Sequence, residues 1–350
     1  MSPVRTRAAA SDRGTAQAPK HDLGSSHGSS QKAAKTDSRG DGKAESAASL
    51  SKSASKADTK DKQPSQKAED NTAPEVVETG ILNYFIRGRV EIEEPKSLDE
   101  IARGYLVMRP LPDDIDLSQR PLPKSLAARL LALPKKQLPR STSDRFMAFV
   151  DETGMPYPEL AEGFLAPREY ATKTKGMRHV PSATPVGEGV YAIVRAQKET
   201  HFAYAATLPE EKREFQRDLG FRDRGSFIMS SKNPKFSGPA SARLPSPPEY
   251  PKDILEEFGS HRWVPTKPEH LDYKNTQLLL IGQGEKPQLT TGDVEGQAKV
   301  EDEMEVLMEE DLKGMQHLSS NESEAIFADL HAKSEWFHNI PESFGKSSCV

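Results

Sequence analysis

The sequence VYAIV at residues 190–194 is followed, after a short polar connection, by HFAYAATL at residues 201–208. In the second segment Phe202, Tyr204 and Leu208 lie on one side at a spacing of two, with Ala or Thr on the other side. A spacing of two is typical of a half-buried strand, and residues 195–200 are few enough for a tight turn. The pattern therefore predicts a β-hairpin, and its antiparallel pairing is the starting point for the rest of the fold.

Further short apolar segments lie on both sides of this hairpin, each bounded by Pro, Gly or polar residues, and they also predict strands. They are residues 81–92, 105–108, 129–133, 145–150, 226–230 and 276–281. A capping box at 97–100, and proline at positions 158, 209 and 251, predict short helices. Because most strands follow one another through turns, we expect an α+β fold with one strand-rich, mainly antiparallel sheet or partly closed barrel and short helices.

Composition divides the chain into three parts. Residues 1–76 are rich in Ser, Ala and Lys and nearly lack large apolar residues, so we expect a disordered tail. Residues 77–285 contain every predicted strand and form the predicted core domain. Residues 286–350 form a predicted acidic tail, since positions 285–350 hold 15 Asp or Glu against 5 Lys or Arg. Apolar residues at helical spacing predict an amphipathic helix over 298–315.

The single cysteine, Cys349, cannot form an intramolecular disulfide, and the chain contains no apolar run of signal-peptide or transmembrane length. We therefore expect an intracellular protein of the cytoplasm or nucleus that does not enter a membrane.

Two glycine motifs do not predict a nucleotide site. Gly345-Lys346-Ser347 lacks the earlier glycine of a phosphate-binding loop. Gly187-Glu188-Gly189 precedes a strand and does not open a helix, so we expect these residues to be turn glycines. The core histidines lack metal-ligand spacing. No catalytic residue, cofactor or metal site is predicted.

Cationic residues lie beside aromatic residues at three places in the core. Arginine supplies a rigid fork of donors for carboxylate or phosphate, and an aromatic ring adds a stacking face. If the three groups converge, they form a site for an anionic ligand, a nucleic acid or an acidic peptide. If they do not, they are surface cations balanced by nearby acids. The candidate residues are Arg87, Arg89, Lys173, Lys175, Arg178, His179, Arg262 and Trp263.

The acidic tail contains a second set of candidates, because its apolar residues recur at helical spacing among Glu and Asp. Such a segment either folds back onto the core or folds on a protein partner. The candidate docking residues are Met304, Leu307, Met308, Ile326 and Phe327. The hypothesis that follows is a non-enzymatic binding or regulatory protein with a protein partner. The alternative is an enzyme, or a protein binding a small anionic ligand, with a site assembled from scattered core residues.

Several segments of the core together resemble a widespread protein family with members in fungi, plants and prokaryotes. They are Gly88-Arg89-Val90, residues 97–103, 133–136, 145–150, 187–191 and 225–227, Lys232-Asn233-Pro234, and residues 278–282. The resemblance covers nearly the whole core and neither tail. Fungal members often carry the name BTB domain transcription factor, which implies a regulatory role, although this strand-rich core lacks the helix-rich pattern of a BTB domain. The resemblance implies domain boundaries and no catalytic residues.

Overall fold

The hairpin predicted from residues 190–208 is present in the computed structural model, which describes residues 73–112, 114–238, 244–289, 294–333, 336 and 338–344. Strands β7 (Ala183–Ala196) and β8 (Glu199–Leu208) pair antiparallel, with Tyr191 opposite Tyr204. The tail predicted over residues 1–76 lies almost entirely outside the described residues, as do Cys349 and the motif at 345–347.

The other strands are β1 (Glu75–Gly88), β2 (Ile101–Pro110), β3 (Ala127–Leu133), β4 (Arg145–Pro156), β5 (Arg168–Thr172), β6 (Gly176–Val180), β9 (Arg224–Lys232), β10 (Trp263–Pro265) and β11 (Gln277–Gly284). The helices are α1 (Tyr157–Leu160), which continues into a π-helical turn (Ala161–Leu165), α2 (Glu214–Asp218), α3 (Lys252–Glu257), α4 (Val294–Leu318) and α5 (Glu322–Asp329). A 3-10 helix spans Pro268–Asp272.

Eight strands close into an antiparallel barrel. Around the barrel the order is β1, β7, β8, β9, β11, β4, β3 and β2, and β2 pairs with β1 again. Strand β10 pairs with the end of β9, and β5 pairs with β6 in a separate two-stranded hairpin. The prediction of a mainly antiparallel, barrel-like fold with short helices is confirmed. Closure pairs both edges of each barrel strand, which removes the free edges of an open sheet.

Aromatic rings fill the barrel interior, because alternate side chains of each strand point inward. Tyr191 stacks on Phe202 with ring centroids 5.3 Å apart, and Phe202 stacks on Phe227 at 6.2 Å. Gly225 allows this packing, since a Cβ there would lie 2.3 Å from the ring of Tyr204. The interior is thus packed with side chains, and sites for other molecules have to be sought at the ends or the outer wall.

The C-terminal helices cover the outer wall of the barrel at β7 and β8. Helix α4 buries Val300, Met304 and Met315, and α5 buries Ile326 and Phe327, in the same apolar cluster as the barrel. Asn321 caps the start of α5, because its side chain accepts hydrogen bonds from the backbone N–H groups of residues 323 and 324. Of the two alternatives for the acidic segment, this structure contains the folded-back arrangement.

Three local predictions were wrong. Pro209 opens no helix, because α2 begins only at Glu214. The capping box at 97–100 opens no helix: residues 97–100 form a turn, and β2 begins at Ile101. Residues after the turn pair with β1 and β3, and these long-range backbone hydrogen bonds outweigh the local helix signal. Gly187 and Gly189 are not turn glycines but lie within β7, where a Cβ on Gly189 would lie 2.1 Å from the carbonyl oxygen of Ala205.

Candidate functional site

Two of the three predicted cationic groups lie side by side. Strands β5 and β6 form a hairpin whose residues are mostly exposed, and the segment 89–91 runs along β6. The backbone N–H of Glu91 donates to the carbonyl of His179 at 2.9 Å, and the N–H of His179 donates to the Glu91 carboxylate at 3.1 Å. We call residues 89–91 and 168–180 together the hairpin surface.

The hairpin surface combines free cations with exposed apolar side chains. Within the described residues, four large hydrophobic side chains are strongly exposed, and three of them lie here: Val90 at 38%, Tyr170 at 45% and Met177 at 61%. Arg178 and His179 have acidic neighbours, with Arg178 3.6 Å from Glu91. In the part of the chain that the structure describes, the remaining cations of this surface form no salt bridge; they are Arg89, Arg168, Lys173 and Lys175.

Arg87 does not belong to this surface, because its guanidinium is buried. It donates to the carbonyl oxygens of Pro181 and Phe164 and lies 5.1 Å from the centroid of the Phe164 ring. Burial lowers the pKa of Arg87 to about 10. Its role is to tie β1 to the segments on either side of the β5–β6 hairpin.

Arg262 and Trp263 are also separate from the hairpin surface. They lie at the start of β10, which pairs with β9, and β9 is three strands from β1 around the barrel. Arg262 donates to the carbonyl of Ser237 at 2.8 Å. The structure therefore places residues 89–91 beside Arg178 and His179 of the hairpin, whose far turn carries Lys173 and Lys175, and leaves the pair at 262–263 apart.

The predicted docking residues of the acidic segment are largely covered. Met304 is 5% exposed, and Ile326 and Phe327 are fully buried, while Leu307 and Met308 are partly buried against the same cluster. Among the described side chains of α4, Val306 is the large apolar one that is exposed, with 55% of its surface accessible. In this conformation the apolar face of the C-terminal segment contacts the barrel and is not presented to another protein.

A buried charge cluster, absent from the sequence predictions, joins the C-terminal helices to the barrel. Its five side chains are fully buried: Arg109, Arg120, Glu188, Asp311 and Asp329. Arg109 and Arg120 both donate to Asp329, and Arg120 also donates to Asp311. Glu188 lies 3.4 Å from Arg109 and 3.7 Å from Arg120. Because Arg109 and Asp329 are 220 positions apart, no local pattern could have revealed them.

Neutral polar groups complete the charge cluster. Asn83 donates through its side-chain amide to Glu188, and the hydroxyl of Thr207 donates to Asp311 at 2.6 Å. The backbone N–H of Leu122 donates to Asp329 at 3.0 Å, and the guanidinium of Arg109 lies 5.1 Å from the centroid of the Tyr157 ring. The charges are therefore compensated by partners from the barrel wall, from the connection between β2 and β3, and from both C-terminal helices.

Burial and the two arginines shift the pKa values of the carboxyl groups in this cluster in different directions. Burial raises the pKa of Glu188 to about 8, and the nearby Asp311 and Asp329 carboxylates reinforce the shift. Burial also works against the charged form of Asp329, but Arg109 and Arg120 outweigh it and hold the pKa of that carboxyl below its usual range. Burial raises the pKa of Asp311 as well, so three buried carboxyl groups compete for the two guanidinium groups, and Asp329 is the one whose charged form they favour.

We expect Glu188→Gln to weaken the dependence of stability on pH. The pKa of Glu188 is raised from 4.5 to about 8 on folding, so its contribution to stability is complete below pH 4.5 and is lost as the pH rises through 8. Glutamine is uncharged throughout, so the free energy of unfolding of the variant should fall less between pH 5 and 9. Urea unfolding at a series of pH values measures this.

The matched control for this experiment is Glu94→Gln, which removes an exposed carboxylate outside the cluster. It should reproduce the wild-type pH profile. If Glu188→Gln and the wild type lose stability equally between pH 5 and 9, Glu188 is not protonated in the folded protein.

Comparisons with known proteins identify no relative: no protein-family model, curated protein or solved structure matches the chain. The described residues contain no group of three or more side chains arranged to hold a metal ion. None of the helices in the described part of the chain has both the length and the apolar composition needed to cross a membrane. The hairpin surface is therefore the candidate site, because its cations and apolar side chains are exposed. The charge cluster is a structural connection beneath the C-terminal helices.

Proposed function

We propose that this protein is a non-enzymatic binding protein that docks an acidic, partly apolar peptide segment of a partner protein on its hairpin surface. The observation that supports this proposal is that Val90, Tyr170 and Met177 are exposed on the hairpin surface together with four cations that form no salt bridge with any described residue. Tyr170 and Met177 lie on opposite faces of the hairpin, so both of its faces offer apolar contact. Exposed large apolar side chains on an otherwise polar surface are typical of interaction sites. Docking is assigned to this surface and not to the C-terminal segment, because Ile326 and Phe327 are buried.

The shape of the hairpin favours an extended peptide. Strands β5 and β6 pair only with each other, and the backbone contact from Glu91 reaches β6 at His179. In the described part of the chain no strand pairs with the outer edge of β5. A peptide strand that adds to this edge would gain backbone hydrogen bonds, while its side chains contact the exposed groups of the hairpin.

The charge of the hairpin favours a peptide over a nucleic acid. Residues 168–180 hold four Lys or Arg against one Glu, and the chain as a whole has a net charge of -5. Nucleic-acid binding depends on neutralising many phosphates along an extended basic surface. Tyr170 offers one ring for base stacking, whereas Val90 and Met177 offer none and can instead bury apolar side chains of a peptide.

The regulatory role implied by the sequence resemblance agrees with this proposal, and we propose the cytoplasm or nucleus as its location. A protein that recognises acidic segments acts through the partners it brings together and needs no catalytic group. The alternative of a small ligand bound by scattered core residues concerns a different part of the protein, one mouth of the barrel.

We expect Lys173→Glu/Lys175→Glu to weaken binding of an acidic peptide at least tenfold, about 1.4 kcal/mol. The probe is a fluorescein-labelled 12-residue peptide of alternating Glu and Leu, and fluorescence polarisation measures the Kd. Both lysines are exposed, so reversing their charge should leave the fold unchanged. Adding Met177→Ser should weaken binding further by removing apolar contact.

The matched control is Lys198→Glu/Lys252→Glu, which changes the net charge equally at exposed positions outside the hairpin surface. It should bind the peptide nearly as well as the wild type. Equal weakening by both double variants would show that only overall charge matters and would contradict the proposed site. Tighter binding of a 12-nucleotide single-stranded DNA than of the peptide would show that the partner class is wrong.

A further inference from the structure

A concave site of about 470 Å³ lies at one mouth of the barrel, where β1 and β3 begin and β2 ends. This volume is within the range of small-molecule sites, and barrel mouths are common positions for them. The site lies apart from the hairpin surface, because none of its lining residues belongs to 89–91 or 168–180. It therefore offers a second function that does not depend on the proposed peptide docking.

The floor of this mouth site is a preorganised ion-pair network. One terminal nitrogen of Arg129, Nη1, donates to both carboxylate oxygens of Glu78 at 2.7 Å, and Nε donates to Asp272 at 2.8 Å. The hydroxyl of Tyr191 donates to Glu78 at 2.8 Å. The Arg129 side chain is only 9% exposed, so its orientation is held by these partners before any ligand arrives.

The other terminal nitrogen of Arg129, Nη2, has no acceptor among the residues that the structure describes. Nη2 is not among the buried side-chain atoms that lack a partner, so it is open to solvent, and a water molecule or a ligand oxygen can accept its hydrogen bond. Arg129 lines the cavity, so a ligand that enters can supply that acceptor as a carbonyl or carboxylate oxygen.

The remaining charges of the mouth site favour a cation. Three carboxylates line the cavity, from Glu78, Asp272 and Glu303, and Arg129 is the one Lys or Arg among the described lining residues. Asp272 is 53% exposed and uses one oxygen for Arg129, which leaves the other oxygen for a ligand. A protonated amine beside Asp272 would offset this excess of negative charge.

The rest of the lining is largely apolar and can hold an aliphatic side chain. It includes Val76, Val77, Pro110, Leu111, Pro112 and Leu126.

The donor of Arg129, the excess of carboxylates and the apolar wall together define a ligand. We propose that the mouth site binds a molecule with an α-ammonium group next to a carbonyl oxygen and an apolar side chain. The oxygen accepts from Arg129, the ammonium contacts Asp272, and the side chain lies on the apolar wall. A free amino acid and the N-terminal residue of a peptide share this chemistry.

Isothermal titration calorimetry with four probes of similar size tests this proposal on the full-length protein. L-Leucine represents the free amino acid, and L-leucinamide represents an N-terminal residue. 4-Methylpentanoate lacks the amine, and 3-methylbutylamine lacks the carbonyl group. We expect leucine or leucinamide to bind at least tenfold more tightly than both truncated probes, and the preferred one of the two identifies the source of the ligand. Absence of binding by all four, or equal binding of a truncated probe, would overturn the proposal.

Two variants locate the binding. Asp272→Asn removes the charge of a half-exposed side chain and should weaken the preferred probe at least fivefold, while Asp99→Asn, at an exposed position elsewhere, should leave it unchanged. Lys173→Glu/Lys175→Glu should also leave it unchanged, so failure of the peptide proposal and failure of this one are distinguishable. Equal binding by Asp272→Asn and wild type would show that the mouth site is not the binding site.

Discussion

Replacing Asp329 with alanine is expected to destabilise the folded protein by about 3–5 kcal/mol. Asp329 accepts hydrogen bonds from Arg109, Arg120 and the backbone of Leu122, and all of these groups are buried. Without it, Asp311 and Glu188 are the remaining acidic neighbours of two buried guanidinium groups. The lost attraction cannot be replaced by water, so most of the cost is that of an uncompensated buried charge. Urea unfolding followed by circular dichroism measures the change.

Asp302→Ala is the matched control, since Asp302 lies exposed on α4. Its substitution should change the free energy of unfolding by no more than about 0.5 kcal/mol. A loss below about 1 kcal/mol for Asp329→Ala would mean that the cluster is hydrated in solution and does not hold α5 on the barrel.

Replacing Phe327 with alanine is expected to destabilise the protein by about 3–5 kcal/mol, because it removes a fully buried ring and leaves a cavity. The side chain of Phe327 extends from α5 onto the barrel wall, and its ring centroid is 6.1 Å from that of Phe85. If Phe327 instead served a partner protein and were free in the isolated chain, its loss would leave stability unchanged. Thermal and urea unfolding of the isolated protein therefore separate the two alternatives that the sequence leaves open.

The control for this prediction is Val306→Ala on α4, where the side chain is 55% exposed. Its effect should stay within about 0.5 kcal/mol of the wild type. An unchanged midpoint for Phe327→Ala, together with weaker binding to a partner, would return Phe327 to the role of a docking residue.

The barrel strands were predictable because each carries its own signal. In β8, Phe202 and Tyr204 lie on the interior side at a spacing of two, and short apolar runs mark β4 and β11. The helix predicted from the capping box at 97–100 is absent because long-range pairing outweighs the local signal. Its signal is also local, but residues from Ile101 onward gain two neighbouring strands, and that pairing is not visible in a window of four residues.

The candidate site was predictable in part. The cations at 173–179 were visible in the sequence, but the position of residues 89–91 beside them depends on hydrogen bonds between Glu91 and His179. Arg87 shows the limit of such reasoning. It has the same chemistry as Arg89 two positions later, yet it is buried against Phe164 while Arg89 is exposed.

The sequence by itself determined the segments that form the eight barrel strands and the helix of the acidic segment, because periodicity and turn residues act between near neighbours. The tertiary structure alone decided that the antiparallel strands close into a barrel and that α4 and α5 lie on its wall. It also buried five charged side chains that look like ordinary surface charges in the sequence: Arg109, Arg120, Glu188, Asp311 and Asp329. A charge can be buried only where opposite charges and hydrogen-bond donors meet it, and here those partners come from distant parts of the chain.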